Sequence, residues 1–366
     1  MSINIPPEAT RKIGILNSGG DCAGLNTVIA SIVKFGVRLG YSFVGFEKGW
    51  EGLLDPVMYR DLDLDAVRGI SHLGGTILRT TNKGRFAGKT GERGQPNEIP
   101  AAILEMARNN LRILGVEGLI VIGGDGTLAA AMQLSKYGVP IIGVPKSIDN
   151  DLSGTDLTFG FSTAVSVAVG ALDKIHTTAS SHERVFFVEC MGRHAGWITL
   201  HSGLAANANA ILLPEFEFDL NGFIDFLEHR TESRGSTIVA VSEGLDLGQH
   251  HLSVGIESSE IRLHGAADTL MHAIEEKVPG KYELRTVVLG HTQRGGAPIA
   301  ADRLLAKEFG VAAIEAYDAE KFGMMVSLRG QSIGLTSIMD ASKSLKLLTR
   351  SDPYYQTAHR LGVYLN

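Results

Sequence analysis

Residues 13–25 read IGILNSGGDCAGL, an apolar run that leads into a glycine turn and then into the helical pattern of Leu25 to Leu39. A short apolar run followed by glycine and a helix is typical of a strand buried in a parallel sheet. The same order returns at Gly118–Ile122 and at Pro140–Val144, and each of these runs is followed by a loop that holds aspartate. We therefore predict an α/β fold with mostly parallel sheets.

The chain is long enough for two such sheets. At about 150 residues per domain, 366 residues predict two domains, each with its own core. Strand and helix patterns alternate in two blocks, and no linker rich in Ser, Pro or Gly separates them. We predict two discontinuous, Rossmann-like α/β/α domains of three layers, one formed by residues 1–160 plus about 293–343 and the other by residues 161–292 plus about 344–366.

The composition excludes several classes of protein. Lys and Arg number 34 and Asp and Glu number 40, a net charge of −6, so we expect no nucleic acid and no anionic membrane as a partner. Two cysteines, Cys22 and Cys190, are too few for a disulfide framework and fit a reducing compartment. Met1–Arg11 lacks the apolar core of a signal peptide, and no apolar run approaches the length of a membrane span. We expect a cytoplasmic protein.

Glycine is in excess, at 44 of 366 residues, against an average of about 7%. Gly19 and Gly20 follow one predicted strand, and Gly123 and Gly124 follow another. Glycines in these places either only turn the chain from strand to helix, or let backbone N–H groups approach a phosphate at the positive end of the helix.

Aspartates accompany these glycines. Asp21, Asp125, Asp149 and Asp151 lie in loops after predicted strands, and the carboxyl ends of parallel strands share one edge of a sheet. Each carboxylate is either a solvated turn residue or helix cap, or part of a site for Mg²⁺ that carries substrate phosphates. The Asp-Asn-Asp run at 149–151, together with Gly-Gly-Asp-Gly at 123–126, favours the magnesium interpretation.

Basic residues of the second block supply the charge that a phosphorylated substrate needs. The arginines Arg184, Arg193, Arg285 and Arg294 are predicted at comparable strand ends, together with His291. A single arginine in such a position is more often a surface charge, but the set indicates phosphate binding. With the aspartates it points to phosphoryl transfer, in which the protein positions the reactants and offers a carboxylate for the proton of the nucleophile.

Several motifs occur together in the order that one enzyme family shows. Gly-Gly-Asp-Gly-Thr alone is not specific, because NAD kinases and diacylglycerol kinases share it. In combination, the motifs resemble those of the 6-phosphofructokinases over about residues 13–361. They are Ser18-Gly19-Gly20-Asp21, Gly123-Gly124-Asp125-Gly126-Thr127, Ile148-Asp149-Asn150-Asp151, Met191-Gly192-Arg193 and Gly290-His291-Thr292-Gln293-Arg294-Gly295-Gly296.

The resemblance implies the phosphofructokinase fold and a reaction. The γ-phosphoryl group of Mg-ATP would pass to the C1 hydroxyl of fructose 6-phosphate, a glycolytic step that gives fructose 1,6-bisphosphate and ADP. Mg²⁺ is the implied cofactor and ATP the implied co-substrate, with the phosphoryl donor on the first domain and fructose 6-phosphate on the second. It also implies a homotetramer, or at least a homodimer, whose active sites are shared across subunits.

The resemblance assigns roles residue by residue. Asp149 would be the general base, Ser147 would position the γ-phosphoryl group, and Arg193 would offset charge in the transition state. Asp125 would hold Mg²⁺. The residues implied for the donor are Gly20, Asp21, Trp50, Lys83, Gly124, Gly126, Thr127 and Lys146. The residues implied for the sugar phosphate are Ser147, Asp149, Asp151, Arg184, Met191, Gly192, Arg193, Glu243, Arg285, His291 and Arg294, of which Arg184 and Arg285 would come from a neighbouring subunit.

Two positions leave the donor open. Pyrophosphate users of the family carry Asp in place of Gly126, so Gly126 leaves room for a nucleotide, whereas Lys146 is typical of pyrophosphate users. ATP is favoured, with pyrophosphate or ADP as alternatives, and a non-catalytic sugar-phosphate sensor as a remote one. Asn82 replaces an arginine of the family, so Lys83, Arg85 or Arg79 would supply that charge. Trp50 is either a stacking partner for adenine or a core residue.

Overall fold

The computed structural model describes residues 11–81, 84–86, 98–248 and 265–366, without the side chains of 231–234. These residues form two compact units. Unit 1 takes the described residues of Met1–Ile148, Leu152–Thr163 and Arg294–Leu345. Unit 2 takes those of Asp149–Asp151, Ala164–Gln293 and Lys346–Asn366. No helix in these ranges is long and apolar enough to cross a membrane.

Strands and helices alternate along most of the chain. The strands are β1 (Arg11–Asn17), β2 (Tyr41–Phe46), β3 (Tyr59–Asp61), β4 (Val116–Gly123), β5 (Ile141–Ser147), β6 (Phe159–Gly160), β7 (Val185–Cys190), β8 (Ala210–Leu212), β9 (Thr237–Ser242), β10 (Leu284–Val288), β11 (Met324–Arg329), β12 (Ser332–Ser337) and β13 (Tyr364–Leu365). The helices are α1 (Leu25–Arg38), α2 (Ala101–Ile113), α3 (Asp125–Ser135), α4 (Phe161–His182), α5 (Trp197–Ala205), α6 (Leu220–Arg234), α7 (Ala266–Lys277), α8 (Ala300–Asp318), α9 (Ile338–Ala341) and α10 (Pro353–Arg360).

The sheet of unit 1 has the order β12-β11-β5-β4-β1-β2-β3, and β6 pairs with β5. Its strands run parallel except for β3 and β12 at the two edges. The predicted α/β fold with mostly parallel sheets is therefore confirmed. From β1 the chain passes to β2 on one side, and from β4 it passes to β5 on the other side. The carboxyl ends of β1 and β4 thus flank the point where the strand order reverses, and open α/β sheets bind ligands at such points.

The sheet of unit 2 has the order β10-β7-β9-β8-β13 and is parallel throughout. Phe187 and Val239 are fully buried in its core, against Phe223 and Leu227 of α6 and Leu270 of α7. Such burial explains why β7 and β9 appear in the sequence as continuous apolar runs. The carboxyl ends of β7 and β9 lie side by side, since Cys190 pairs with Ser242.

The edge hairpin of β11 and β12 is a feature that the sequence analysis missed. Its strand β12 (Ser332–Ser337) contains only half-buried and exposed residues and so lacks the continuous apolar run that marks the central strands. Helix α5 was missed as well, because Gly203 and Ser202 weaken the helical signal of a segment that is nevertheless buried.

Candidate active site

The predicted site residues fall on both units. Those on unit 1 are Gly20, Asp21, Trp50, Gly124, Asp125, Gly126, Thr127, Lys146, Ser147 and Arg294. Those on unit 2 are Asp149, Asp151, Arg184, Met191, Gly192, Arg193, Glu243, Arg285 and His291. Lys83, with Asn82, lies outside the described residues.

Two glycine loops meet at the reversal point of unit 1. The loop after β1 is tied to β4 by the N–H of Ser18, which donates to the carbonyl oxygen of Ile122 at 3.1 Å. Gly19 has a φ of +85°, and Gly24, which precedes α1, has a φ of +105°. A Cβ on Gly24 would lie 2.8 Å from the ring of Phe159. A side chain is disfavoured at both positions. The first N–H groups of α1 therefore lie beside glycines that carry no side chain, an arrangement suited to binding an anion.

Lys146 brings a cation to this loop. Its side chain is 5% exposed at the end of β5, and its ammonium donates a hydrogen bond to the carbonyl oxygen of Gly20. The ammonium also lies 3.4 Å from the Cβ position of Gly19. Lys146, a charged residue that the resemblance assigns to the donor, thus contacts the glycine loop directly.

Asp125 begins α3, directly after the second glycine loop. Its Oδ1 accepts the N–H of Gly126 at 2.6 Å, and a carboxylate in the first turn is favoured by the helix dipole. Among the described residues, no group of three or more His, Cys, Asp or Glu side chains is placed to hold a metal ion. Mg²⁺ usually takes one or two carboxylates and completes its shell with water and substrate phosphates. A single carboxylate such as Asp125, directly after the second glycine loop, fits that requirement.

Arg294 lies on the same unit as the glycine loop. Its guanidinium donates to the carbonyl oxygen of Asp21 at 3.2 Å, and a Cβ on Gly20 would lie 2.5 Å from Nη1. The sequence analysis assigned Arg294 to the sugar phosphate and Gly20 to the donor, and the fold brings the two residues into contact.

Trp50 is 3% exposed and belongs to the core of unit 1, where it stacks on Phe86 with ring centroids 5.0 Å apart. Its burial favours the core alternative over a contact with adenine. Of the alternatives for the missing arginine, Arg85 pairs with Glu51 at 3.1 Å, and Arg79 lies 3.8 Å from Glu47. Both guanidinium groups thus have a carboxylate partner within unit 1.

On unit 2, the loops that follow β7, β9 and β10 contact one another at the carboxyl edge of the sheet. After β7, the N–H of Gly192 donates to Glu243 Oε1 and the N–H of Met191 donates to Gln293 Oε1, each at 3.3 Å. A Cβ on Gly244 would lie 1.9 Å from the carbonyl oxygen of Arg193, so only glycine allows this approach. These contacts bring together the loops that carry Met191, Arg193, Glu243 and His291, and the side chains of Arg193 and His291 are exposed to solvent.

A buried carboxylate supports the same edge. Glu189, the residue before the last of β7, accepts the N–H of Ala267 at 2.9 Å at the start of α7. Burial raises the pKa of Glu189, partly offset by the hydrogen bond from Ala267, and nearby Glu243 raises it further. The sequence analysis missed Glu189, because a single glutamate inside an apolar strand carries no motif.

The Asp149–Asp151 segment is held by a residue far along the chain. Asn150 has a φ of +51° and is 3% exposed. Lys346 donates its ammonium to Asn150 Oδ1 at 3.0 Å and its backbone N–H to the carbonyl oxygen of Asp151 at 2.7 Å. Nothing in the sequence around Lys346 signals this contact, which exists only in the fold.

Arg184 and Arg285 lie at the opposite edge of the unit 2 sheet. Arg184 precedes β7, and Arg285 is the second residue of β10, whereas Arg193 follows the carboxyl end of β7. The expectation that these arginines share comparable strand ends is therefore wrong, because a strand of six residues separates its two ends by about 17 Å. Both donate to Glu283 Oε1, at 2.6 and 2.7 Å, and the hydrogen bond from Arg184 lowers the pKa of Glu283.

Comparison with known proteins agrees with this geometry. The family model for phosphofructokinase matches residues 12–317. A pyrophosphate--fructose 6-phosphate 1-phosphotransferase of Streptomyces coelicolor is 46% identical over 92% of this chain and 95% of its own. An ATP-dependent 6-phosphofructokinase 2 of Clostridium perfringens is 41% identical over 97% of this chain and 98% of its own.

Solved structures show the same fold. Phosphofructokinase of Pichia pastoris in the T-state superposes with a TM-score of 0.75 at 31% identity and 92% coverage of this chain, which spans 36% of the length of that chain. A pyrophosphate-dependent phosphofructokinase of Marinobacter aquaeolei superposes with a TM-score of 0.78 at 20% identity, covering 97% of this chain and 92% of its own.

Proposed function

We propose that this chain, which belongs to the phosphofructokinase family and is a 6-phosphofructokinase, uses ATP as its phosphoryl donor. The γ-phosphoryl group passes to the C1 hydroxyl of fructose 6-phosphate, and the products are fructose 1,6-bisphosphate and ADP. The observation that carries this choice is Gly126 in the first turn of α3. With no side chain at that position, the loop after β4 leaves space for the α-phosphate of a nucleotide.

Unit 1 binds the donor. Gly20, Gly124 and the start of α3 present backbone to the phosphates, and Lys146 and Arg294 bring positive charge to the loop after β1. Asp125 would hold Mg²⁺, and Asp21 in the loop after β1 and Thr127 in the first turn of α3 belong to the proposed donor site. The ion supplies charge neutralisation on the transferred and leaving phosphates.

Unit 2 binds the acceptor and provides the base. Asp149 accepts the proton of the C1 hydroxyl while the bond from that oxygen to the γ-phosphorus forms. The bond between the γ-phosphorus and the bridging oxygen breaks, and its electron pair leaves with ADP. Arg193 offsets the charge that spreads over the transferred group. On unit 2 the remaining residues of the proposed acceptor site are Asp151, Met191, Gly192, Glu243 and His291. Two more of the residues predicted for the acceptor, Ser147 and Arg294, belong to unit 1.

Arg184 and Arg285 act in a neighbouring subunit. At the amino edge of their sheet they lie away from the loops that carry Arg193 and His291, so they do not serve the same phosphate from within unit 2. Because a second copy of the chain would receive these arginines, the proposal includes a homodimer or homotetramer. It also includes a cytoplasmic location.

Pyrophosphate is the second candidate donor. Lys146, in contact with the glycine loop, is the observation that favours it, because a compact ammonium attracts the terminal phosphate of a short donor. Two relatives, each 46% identical to this chain, are named for different donors, one for pyrophosphate and the other for ATP.

A donor panel tests the proposal. Purified enzyme is given Mg²⁺ and fructose 6-phosphate with ATP, ADP or pyrophosphate in turn, and fructose 1,6-bisphosphate is measured directly by phosphorus NMR. We expect kcat/KM to be highest for ATP. Turnover with pyrophosphate but not with ATP overturns the choice of donor. Binding of fructose 6-phosphate without turnover with any donor points instead to a sensor.

A further inference from the structure

Three residues near the end of the chain form a strap, which we define as Lys346–Leu348. At its first residue, the backbone N–H of Lys346 donates to the carbonyl oxygen of Asp151 at 2.7 Å, and the ammonium donates to Asn150 Oδ1 at 3.0 Å. One residue thus binds two consecutive members of the Asp149–Asp151 segment, through its main chain and its side chain.

The other side of the strap is fixed to the start of α5. Trp197 Nε1 donates to the carbonyl oxygen of Lys346 at 2.8 Å, and the ammonium lies 5.5 Å from the centroid of a Trp197 ring. The buried carboxylate of Glu215 accepts the N–H of Gly196 at 2.9 Å and that of Leu348 at 3.1 Å, both at Oε1. Gly196 ends the loop that carries Arg193. The strap therefore connects the Asp149–Asp151 segment to the end of the Arg193 loop within unit 2.

The conformation of the segment makes the side-chain contact matter. Asn150 adopts a left-handed backbone conformation, which a residue with a Cβ takes only at a cost in free energy. Its amide is buried, and a hydrogen bond from an ammonium is stronger than one between neutral groups. Since Asp149 is the residue before Asn150, the direction of its carboxylate depends on how Asn150 is held.

We propose that Lys346 is a positioning residue for Asp149. Its ammonium holds the Asn150 turn, and the turn holds the Asp149 carboxylate in the direction needed to accept the proton of the acceptor hydroxyl. The inference rests on the proposed role of Asp149 as base. Because the contact acts on the segment that carries the base, its loss lowers kcat and leaves KM for the sugar phosphate nearly unchanged.

Substitution of Lys346 tests this role. We expect Lys346→Met to lower kcat by about 10- to 100-fold, the effect of a displacement of about 1 Å in a reacting group, with KM for fructose 6-phosphate within about twofold. Lys346→Arg retains a donor and is expected to lose less. Lys343→Met is the matched control, because Lys343 is exposed and pairs with Asp340, three residues earlier on unit 1. A wild-type kcat in Lys346→Met overturns the proposal.

Chemical rescue separates the ammonium from its bulk. Cys22 and Cys190 are fully buried, so in Lys346→Cys the half-buried residue 346 carries the thiol that alkylates most readily in the folded protein. Treatment with 2-bromoethylamine restores a lysine-like ammonium, whereas iodoethane adds a neutral ethyl group that cannot donate a hydrogen bond. We expect only the ammonium adduct to recover kcat. Equal recovery with both adducts means that Lys346 only fills space, and it overturns the proposal even if Lys346→Met folds poorly.

Two further variants separate this inference from the proposed function. Asp149→Asn in the otherwise unchanged enzyme tests the base on its own, and normal turnover there removes the base assignment whatever Lys346 does. Asn150→Ala combined with Lys346→Met tests the route of the effect. If Lys346 acts through Asn150, the double variant loses little more kcat than either single one. Multiplicative losses in kcat overturn the proposed route.

Discussion

The ammonium of Lys146 donates a hydrogen bond to the carbonyl oxygen of Gly20, which joins the end of β5 to the loop after β1 across the central strand β4. A buried ammonium needs such a partner, and the carbonyl holds it where donor phosphates are proposed to bind. The contact fixes the position of one positive charge before any substrate arrives.

Loss of that charge is expected to harm both donors, and pyrophosphate more than ATP. In Lys146→Met a charge-assisted contact to the phosphates disappears, worth about 1.5–3 kcal/mol or roughly 10- to 100-fold in kcat/KM. ATP has contacts beyond its phosphates that pyrophosphate lacks, so its kcat/KM falls less. Lys12→Met is the control, because Lys12 also donates to a backbone carbonyl, that of Leu114, near the amino end of β1. Equal kcat/KM in Lys146→Met and wild type for both donors contradicts the proposed role.

A carboxylate at position 126 is expected to exclude the nucleotide. In Gly126→Asp the new side chain lies in the first turn of α3, next to Asp125, and repels or crowds the α-phosphate of ATP. We expect kcat/KM for ATP to fall by at least tenfold, or about 1.4 kcal/mol, while any activity with pyrophosphate is kept. Gly126→Asn has the same size without the charge, so a comparison of the two separates repulsion from crowding. An unchanged kcat/KM for ATP in Gly126→Asp rejects the steric and electrostatic argument for the donor.

Removal of the proposed base is expected to slow the chemical step. Asp149→Asn keeps the size of the side chain but not its ability to take a proton, so kcat should fall at least 100-fold, the lower range for general-base catalysis. Binding of fructose 6-phosphate, measured by calorimetry, should change little. Asp156→Asn is the control from the same region, since Asp156 is exposed and accepts the N–H of Gly330 within unit 1.

Mixed subunits test whether Arg184 serves a neighbouring copy. Arg184→Ala and Asp149→Asn should each be nearly inactive alone. After the two are unfolded and refolded together, a shared site can combine an intact Asp149 from one copy with an intact Arg184 from the other. For random pairing we expect roughly a quarter of wild-type activity. A mixture no more active than its separate parts shows that Arg184 acts within its own chain or not at all.

Glu215 is expected to make stability depend on pH. Burial raises the pKa of Glu215, and the hydrogen bonds from Gly196 and Leu348 lower it only in part. With its folded pKa above the unfolded value, Glu215 contributes most to stability below the unfolded pKa of about 4.3. That contribution is lost as the pH rises through the folded pKa.

The non-titrating variant Glu215→Gln makes this dependence measurable. We expect the Tm of the wild type minus that of Glu215→Gln to fall as the pH rises above the unfolded pKa of about 4.3, by about 2–4 °C for each kcal/mol of stability lost. Differential scanning calorimetry on both proteins measures this difference, and the subtraction removes the titration of other groups. A difference that does not vary with pH contradicts the raised pKa of Glu215.

The local pattern of the sequence was enough for the fold class and for much of the candidate site. Apolar runs such as Ile13–Leu16 and Gly118–Ile122 indicate parallel strands because a strand buried on both faces has no polar side to show. Since parallel strands end at one edge, the sequence alone predicts that the residues after β1 and β4 lie close together. Gly19 belongs to the glycine turn that the sequence predicts after β1, and its positive φ angle shows that this turn favours glycine.

The tertiary structure alone decided which long-range contacts form. Arg184 and Arg285 look like Arg193 in the sequence, but the direction of β7 and β10 places them at the opposite edge of the sheet. Trp50 lies in the core of unit 1, where it stacks on Phe86. Lys346 contacts Asn150 because the segment from Lys346 onward belongs to unit 2. A local pattern reports which face of an element is apolar and where a turn occurs. Contacts between distant residues are set by strand order and chain return, which no short stretch of sequence contains.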